Sequence, residues 1–268
     1  MKNILVVYYG IHNPTHVLDF VLNIAKQNEF KVQGIFVDEA PSPDLSYPFP
    51  NDLNLTEEKV TSDSIEQENE KILAENIQFF QDECSIADVK FSFERNVPIK
   101  SLVENTFGAD LIVMNSTSHS QETSLREILK SNACPVCQTV STAYKPERIV
   151  FAFDGSENCM FAIQKFVDLF PSFYSLESSL VTMKKETEIL IHKEFINDWL
   201  VRYFPKIAIE HIGGKGDDGF IDYLDKYPDN TLLVMGAYGR SAISTLFQPS
   251  LADKVIAETR LSLFSAHK

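Results

Sequence analysis

The sequence predicts an α/β protein made of two tandem doubly wound, Rossmann-like domains with parallel sheets. Short apolar segments, typical of strands buried on both faces, alternate with amphipathic helical patterns along the whole chain. The order of these segments in the first half of the chain is repeated in the second half. Strands that alternate with helices form parallel sheets, and such sheets bind ligands at the carboxyl ends of their strands.

The repeat is clearest in the first and fourth strands of each half. The segment ILVVYYG (residues 4–10) resembles IVFAFDG (149–155), and DLIVMN (110–115) resembles TLLVMG (231–236). Ten strands follow from this alignment, near residues 3–9, 31–37, 89–95, 110–115, 135–140, 148–154, 177–183, 206–211, 231–236 and 261–265.

Two domains are predicted, an N-terminal one at residues 1–143 and a C-terminal one at 144–268. The N-terminal domain carries an insertion at about 39–61, in which four prolines stand among Asp, Asn and Ser. This composition is typical of a loop or lid rather than of a core element.

Composition restricts the class of partner. The chain of 268 residues is 44% apolar and 23% charged, which is typical of a globular protein. Its net charge of −14 and the absence of a Lys/Arg cluster argue against a nucleic-acid partner. The first apolar run, Ile4 to Tyr9, is too short for a signal peptide or a membrane span, so we expect a cytoplasmic protein without a membrane partner.

The cysteines and histidines predict no further chemistry. Cys134 and Cys137 have the spacing of a redox pair, but they lead into a strand and have no counterpart in the second half, so we expect strand packing. No second Cys or His pair stands at zinc-ligand spacing, and a metal role for His12, His16 and His119 is the weaker alternative. The chain lacks a nucleophile elbow and a Gly-Lys-Ser/Thr phosphate loop, so we expect no enzyme, or at most a weak ATPase.

The candidate site lies in the second half. Its fourth strand ends in Gly236-Ala-Tyr-Gly239, and two glycines at this spacing allow backbone N–H groups to face an anion, with a helix N-terminus behind them. An ordinary turn is the alternative. The first strand ends in Asp154-Gly155-Ser156, where a carboxylate can accept hydrogen bonds from a ribose. Alternatively, Asp154 or Ser156 caps the following helix.

These residues resemble the universal stress protein family, and the resemblance covers essentially the whole chain as a tandem pair. The nucleotide-binding branch of that family has Asp at the end of its first strand and a Gly-x2-Gly-x9-Gly-Ser/Thr loop after its fourth. Asp154, Gly236, Gly239 and Ser250 match this pattern. Pro249 stands where the pattern has its third glycine, and because it lacks an N–H, one expected phosphate contact is lost.

The resemblance implies an adenine nucleotide alpha hydrolase-like fold and a C-terminal domain that binds ATP, ADP or AMP, with no metal beyond the Mg²⁺ that accompanies a nucleotide. The predicted nucleotide-binding residues are Asp154, Gly155, Ser156, Gly236, Gly239, Arg240 and Ser250. The resemblance also implies that the two final strands meet at their edges, so that one chain imitates a dimer; a homodimer of chains stays open.

The N-terminal domain departs from the pattern. Tyr9, Asn115 and Ser118 occupy the positions of Asp154, Gly236 and Gly239, and Thr123 is the nearest counterpart of Ser250. We therefore expect that this domain does not hold a nucleotide in the manner of that family, and the alternative role of its insertion is to cover another pocket or an interface. Two functional hypotheses remain, a nucleotide-binding stress-response protein and an interaction or scaffold protein of the same fold that binds no nucleotide.

Overall fold

The structure, a computed structural model, describes residues 1–9, 15–38, 62–115, 134–140, 145–182, 193–213, 216–236 and 249–267. Its strands are β1 (Asn3–Tyr9), β2 (Lys31–Asp38), β3 (Phe91–Pro98), β4 (Leu111–Asn115), β5 (Val136–Thr139), β6 (Arg148–Ala152), β7 (Glu177–Thr182), β8 (Ala208–His211), β9 (Thr231–Gly236) and β10 (Ser262–Ala266). Its α-helices are α1 (Thr15–Asn28), α2 (Ser62–Ile86), α3 (Ile99–Asn105), α4 (Glu157–Leu169), α5 (Lys193–Leu200), α6 (Gly216–Leu224) and α7 (Pro249–Glu258).

All ten strands belong to one sheet in the order β3-β2-β1-β4-β5-β10-β9-β6-β7-β8. Each half of the chain therefore contributes five strands in the same relative order, and neighbouring strands within a half are parallel. The predicted α/β fold class is confirmed, and each of the ten predicted strands is present with its ends shifted by no more than a few residues. The boundaries of the two domains stay a prediction.

Apolar patterning explains the layers. The residues of β9 and the last six residues of β1 are buried, as expected for strands covered on both faces. The helices α1 and α4 each turn one apolar face to the sheet, with buried residues such as Val17, Val21, Ile163 and Phe166. Burial of these faces supplies the main driving force for the fold.

The two halves of the sheet join at β5 and β10, which pair antiparallel with Phe264 opposite Cys137. The two final strands meet at their edges, as the resemblance implied. Above this junction Phe264 packs edge-on against Phe166, with ring centroids 5.3 Å apart. Outside the sheet, Asn28 Nδ2 donates a hydrogen bond of 3.0 Å to Ser172 Oγ, so contacts between helical segments of the two halves reinforce the strand pairing.

The four cysteines are free and buried. Burial, with a smaller contribution from Asp110, raises the pKa of Cys134 to about 12, and burial also raises the pKa of Cys137. Because a redox pair needs an accessible thiolate, these positions support strand packing. No helix in the described part of the chain combines the length and the apolarity that crossing a membrane requires.

Candidate functional site

The sheet has two positions at which the strand order reverses, between β1 and β4 and between β6 and β9. At such a point the chain leaves the sheet in opposite directions, which opens a crevice outside the carboxyl ends of the two strands. In the second half, Gly236 ends β9 and Asp154 follows β6 by two residues. The fold therefore brings the first-strand and fourth-strand parts of the candidate site together.

The segment after β6 forms a tight turn into α4. The Ser156 N–H donates to Asp154 Oδ1 at 2.8 Å, and Gly155 has a φ of 85°, a region that disfavours residues with a Cβ. Ser156 is the N-cap of α4, because its Oγ accepts a hydrogen bond of 3.2 Å from the Cys159 N–H. The capping alternative therefore describes part of what these residues do.

Asp154 is enclosed by the same turn. Asp154 is only 7% exposed, and the thiol of Cys159 is hydrogen-bonded to it. Burial and then the Asp154 charge raise the pKa of Cys159, which keeps that thiol protonated. A ligand that uses Asp154 must therefore approach a carboxylate that already accepts hydrogen bonds from its own chain.

Gly236 has a packing role that the sequence reasoning missed. A Cβ atom at this position would lie 2.4 Å from both the carbonyl carbon of Asn158 and the backbone nitrogen of Cys159. The first turn of α4 therefore lies directly on the end of β9, which only glycine permits. The sequence offered only an indirect signal, since in a doubly wound sheet the first and fourth strands are neighbours, but the distance from Gly236 to α4 is set by tertiary packing.

The remaining predicted site residues are less completely described. Gly239 and Arg240 lie outside the described residues, as does the predicted insertion at 39–61. Ser250 is in the first turn of α7, which begins at Pro249. Proline is favoured in the first turn because its missing N–H has no helical acceptor there. The same missing N–H removes one donor from the helix end.

The equivalent crevice of the first half is built differently. Asn115 stands at the position of Gly236, and its Oδ1 lies 3.3 Å from His16 Nε2 in the first turn of α1. Burial lowers the pKa of His16, against the opposing effects of the Asn115 hydrogen bond and of Asp19. The hydrogen-bonded side chains of His16 and Asn115 thus occupy the place where, in the second half, Gly236 packs directly against the backbone of α4. Ser118, Thr123, His12 and His119 lie outside the described residues.

Within the described ranges, no group of three or more His, Cys, Asp or Glu side chains is placed to hold a metal ion. The described crevice of the second half offers a buried carboxylate, a glycine turn and the start of α4.

The geometry defines a class of protein, an α/β protein whose mostly parallel sheet has two switch-point crevices. A solved universal stress protein from Archaeoglobus fulgidus matches it with a TM-score of 0.65 and 12% identity, over 98% of this chain and 96% of that chain. A functionally unknown protein from Pseudomonas aeruginosa matches with a TM-score of 0.57 and 12% identity, over 99% of this chain and 92% of that chain. No protein-family model and no curated protein matches the chain. The chain therefore has the fold of universal stress proteins.

Proposed function

We propose that this chain is a cytoplasmic stress-response protein that binds one adenine nucleotide, ATP, ADP or AMP, in the crevice between β6 and β9. The observation that supports this proposal is the pairing of β6 with β9, which sets Asp154 and Gly236 at one switch point. Gly239, Arg240 and Ser250 follow Gly236 along the chain. In this arrangement Asp154 accepts from the ribose, while the glycine loop, Arg240 and the start of α7 hold the phosphates.

The test begins with the native protein, which is purified, denatured and analysed by mass spectrometry for released nucleotide. Titration calorimetry with ATP, ADP and AMP, with and without Mg²⁺, then gives affinity and stoichiometry. We expect one nucleotide per chain and weaker binding in Arg240→Gln and Ser250→Ala. Ser118→Ala is the matched control, because Ser118 occupies the position of Gly239 in the first half.

The variants are chosen so that loss of binding is not loss of folding. Gly236 is unsuitable because any side chain there meets the backbone of α4. Asp154→Asn is suitable because the amide oxygen can still accept the Ser156 N–H while the negative charge is removed. Absence of released nucleotide together with absence of saturable binding would overturn the proposal, and two equivalents per chain would contradict the assignment to one half.

A second candidate function is an interaction or scaffold protein that binds no nucleotide. It is favoured because the site residues already make contacts within the chain. Asp154 and Ser156 form the turn and the N-cap of α4, and Gly236 packs against the backbone of that helix. The same titration separates the two candidates, because a scaffold protein gives no saturable heat with any of the three nucleotides.

A further inference from the structure

The two outer edges of the ten-stranded sheet differ. One edge is β3, where pairing with β2 shifts register between Ile35 and Val37 and Asn96 has a φ of 55°. Glu94 and Arg95 add exposed charges to that strand. A bulge and charged side chains are features that prevent an edge strand from pairing with another chain.

The other edge, β8, is a short strand with charged residues in and beside it but without a bulge. It pairs with β7 in a regular parallel register from Ala208 to His211, and none of the described strands pairs with its outer side. Six large apolar side chains are exposed among the described residues, and three of them, Phe195 at 57%, Val201 at 47% and Ile209 at 44%, lie in α5 or between α5 and the end of β8. Half of these exposed apolar side chains therefore belong to the segment that runs from α5 to the end of β8.

The backbone of β8 presents hydrogen-bonding groups at this edge. The Ile212 N–H donates to Thr182 O of β7. Because backbone groups alternate sides along a strand, the N–H and C=O groups of Ala208 and Glu210 also point towards β7. The N–H and C=O of Ile209 then face away from β7, as does the C=O of Ile207. The Ile207 N–H is already used, because it donates to Phe204 O.

The side chains along this edge are self-complementary. The segment KIAIE, residues 206–210, pairs with a reversed copy of itself so that Lys206 meets Glu210, Ile207 meets Ile209 and Ala208 meets Ala208. Directly opposite residues in an antiparallel pair point to the same face, where opposite charges and apolar pairs stabilise the contact. The Glu210 carboxylate already accepts hydrogen bonds from Tyr223, from Tyr227 at 3.2 Å and from Lys226 at 3.3 Å, so Lys206 of a second copy would add a second cation to an existing ion pair.

We propose that two copies of this chain associate through antiparallel pairing of β8 with β8, centred on Ala208. In this register the Ile209 N–H of each copy donates to the Ile207 C=O of the other. Two Lys206–Glu210 pairs and two Ile207–Ile209 pairs flank the centre. The contact continues the sheet of one copy into the sheet of the next. Because so short an edge buries little surface, we expect a dissociation constant on the order of micromolar or weaker.

The first experiment measures mass against concentration by analytical ultracentrifugation. We expect a reversible monomer–dimer equilibrium in the wild type that Ile209→Lys abolishes. Lys206→Glu places like charges opposite each other and weakens the dimer by about tenfold or more. Ile86→Lys is the control, because Ile86 is 77% exposed at the end of α2 and distant in the chain from β8. Far-UV circular dichroism checks that each variant is folded.

The second experiment tests the register. Opposite residues in a non-hydrogen-bonded antiparallel pair have Cα atoms about 4.5 Å apart, within the range of a disulfide. Ala208→Cys should therefore oxidise to a disulfide-linked dimer, whereas Ile86→Cys should not, and the buried native thiols contribute little background. A wild type that is monomeric at every concentration overturns the proposal. So does an Ile209→Lys variant that dimerises as tightly as the wild type, or an Ala208→Cys variant that links no faster than Ile86→Cys.

Discussion

The backbone of Asn158 occupies the space that a side chain at position 236 would need, since a Cβ on Gly236 would lie 2.4 Å from the Asn158 carbonyl carbon. The contact joins the end of β9 to the first turn of α4. It fixes the position of the Asp154–Ser156 turn relative to β9, and so the shape of the candidate crevice. Gly236 therefore acts on the site by positioning α4, whatever contact it makes with a ligand.

The first prediction concerns this contact. Gly236→Ala should lower the free energy of unfolding by about 1–3 kcal/mol, because the added methyl group forces two backbone segments apart. Urea unfolding followed by circular dichroism measures the change. Gly108→Ala is the matched control, since a Cβ there would meet no atom within 4 Å. Equal stabilities of the two variants would contradict the packing role of Gly236.

The second prediction concerns the N-cap of α4. Ser156→Ala should lower the free energy of unfolding by about 0.5–2 kcal/mol, because the Cys159 N–H loses its acceptor. Ser156→Asp should retain most of the stability, because aspartate also caps helices well. The comparison is again made by urea unfolding, and a Ser156→Asp variant as unstable as Ser156→Ala would show that capping is not what Ser156 contributes.

The third prediction concerns pH. Burial lowers the pKa of His16 in the folded protein, so the unfolded chain binds the proton at a higher pH than the folded chain does. The stability that the neutral imidazole provides is therefore present above its ordinary pKa of about 6.5 and is lost as the pH falls towards the folded value.

His16→Gln keeps a polar side chain without this proton, so its stability should fall less than that of the wild type on acidification. The measurement is the free energy of unfolding of both proteins between about pH 7 and pH 5. Identical pH dependences would show that His16 does not titrate in this window.

The fourth prediction concerns the thiols. All four cysteines are buried, and burial raises the pKa of Cys84 and of Cys134 to about 12 each. The folded protein should therefore react slowly with a thiol reagent at pH 8, whereas denatured protein should react at all four positions. Ile86→Cys supplies a rapidly reacting control on the folded surface. Rapid labelling of a native cysteine would contradict this prediction and reopen the redox interpretation of Cys134 and Cys137.

The sequence by itself determined the strand order in the chain and the repeat. Apolar runs and helical periodicity are local patterns, so Ile4 to Tyr9 and Thr231 to Gly236 could be recognised as strands without knowledge of their neighbours. The repeat then aligned Asp154 with Tyr9 and Gly236 with Asn115, at the ends of the first and fourth strands of each half. The local patterns depend on residues that are close in the chain, and the repeat depends on the alignment of one half with the other.

Only the tertiary structure decided what the residues at those ends contact. Gly236, a residue of the predicted phosphate loop, also packs directly against the backbone of α4. In the other half, the side chain of Asn115 is hydrogen-bonded to His16. Likewise, the outward groups of β8 depend on which side of that strand β7 occupies. These facts could not be read from the sequence, because they depend on distances between segments far apart in the chain, and those distances are set by the packing of helices on the sheet.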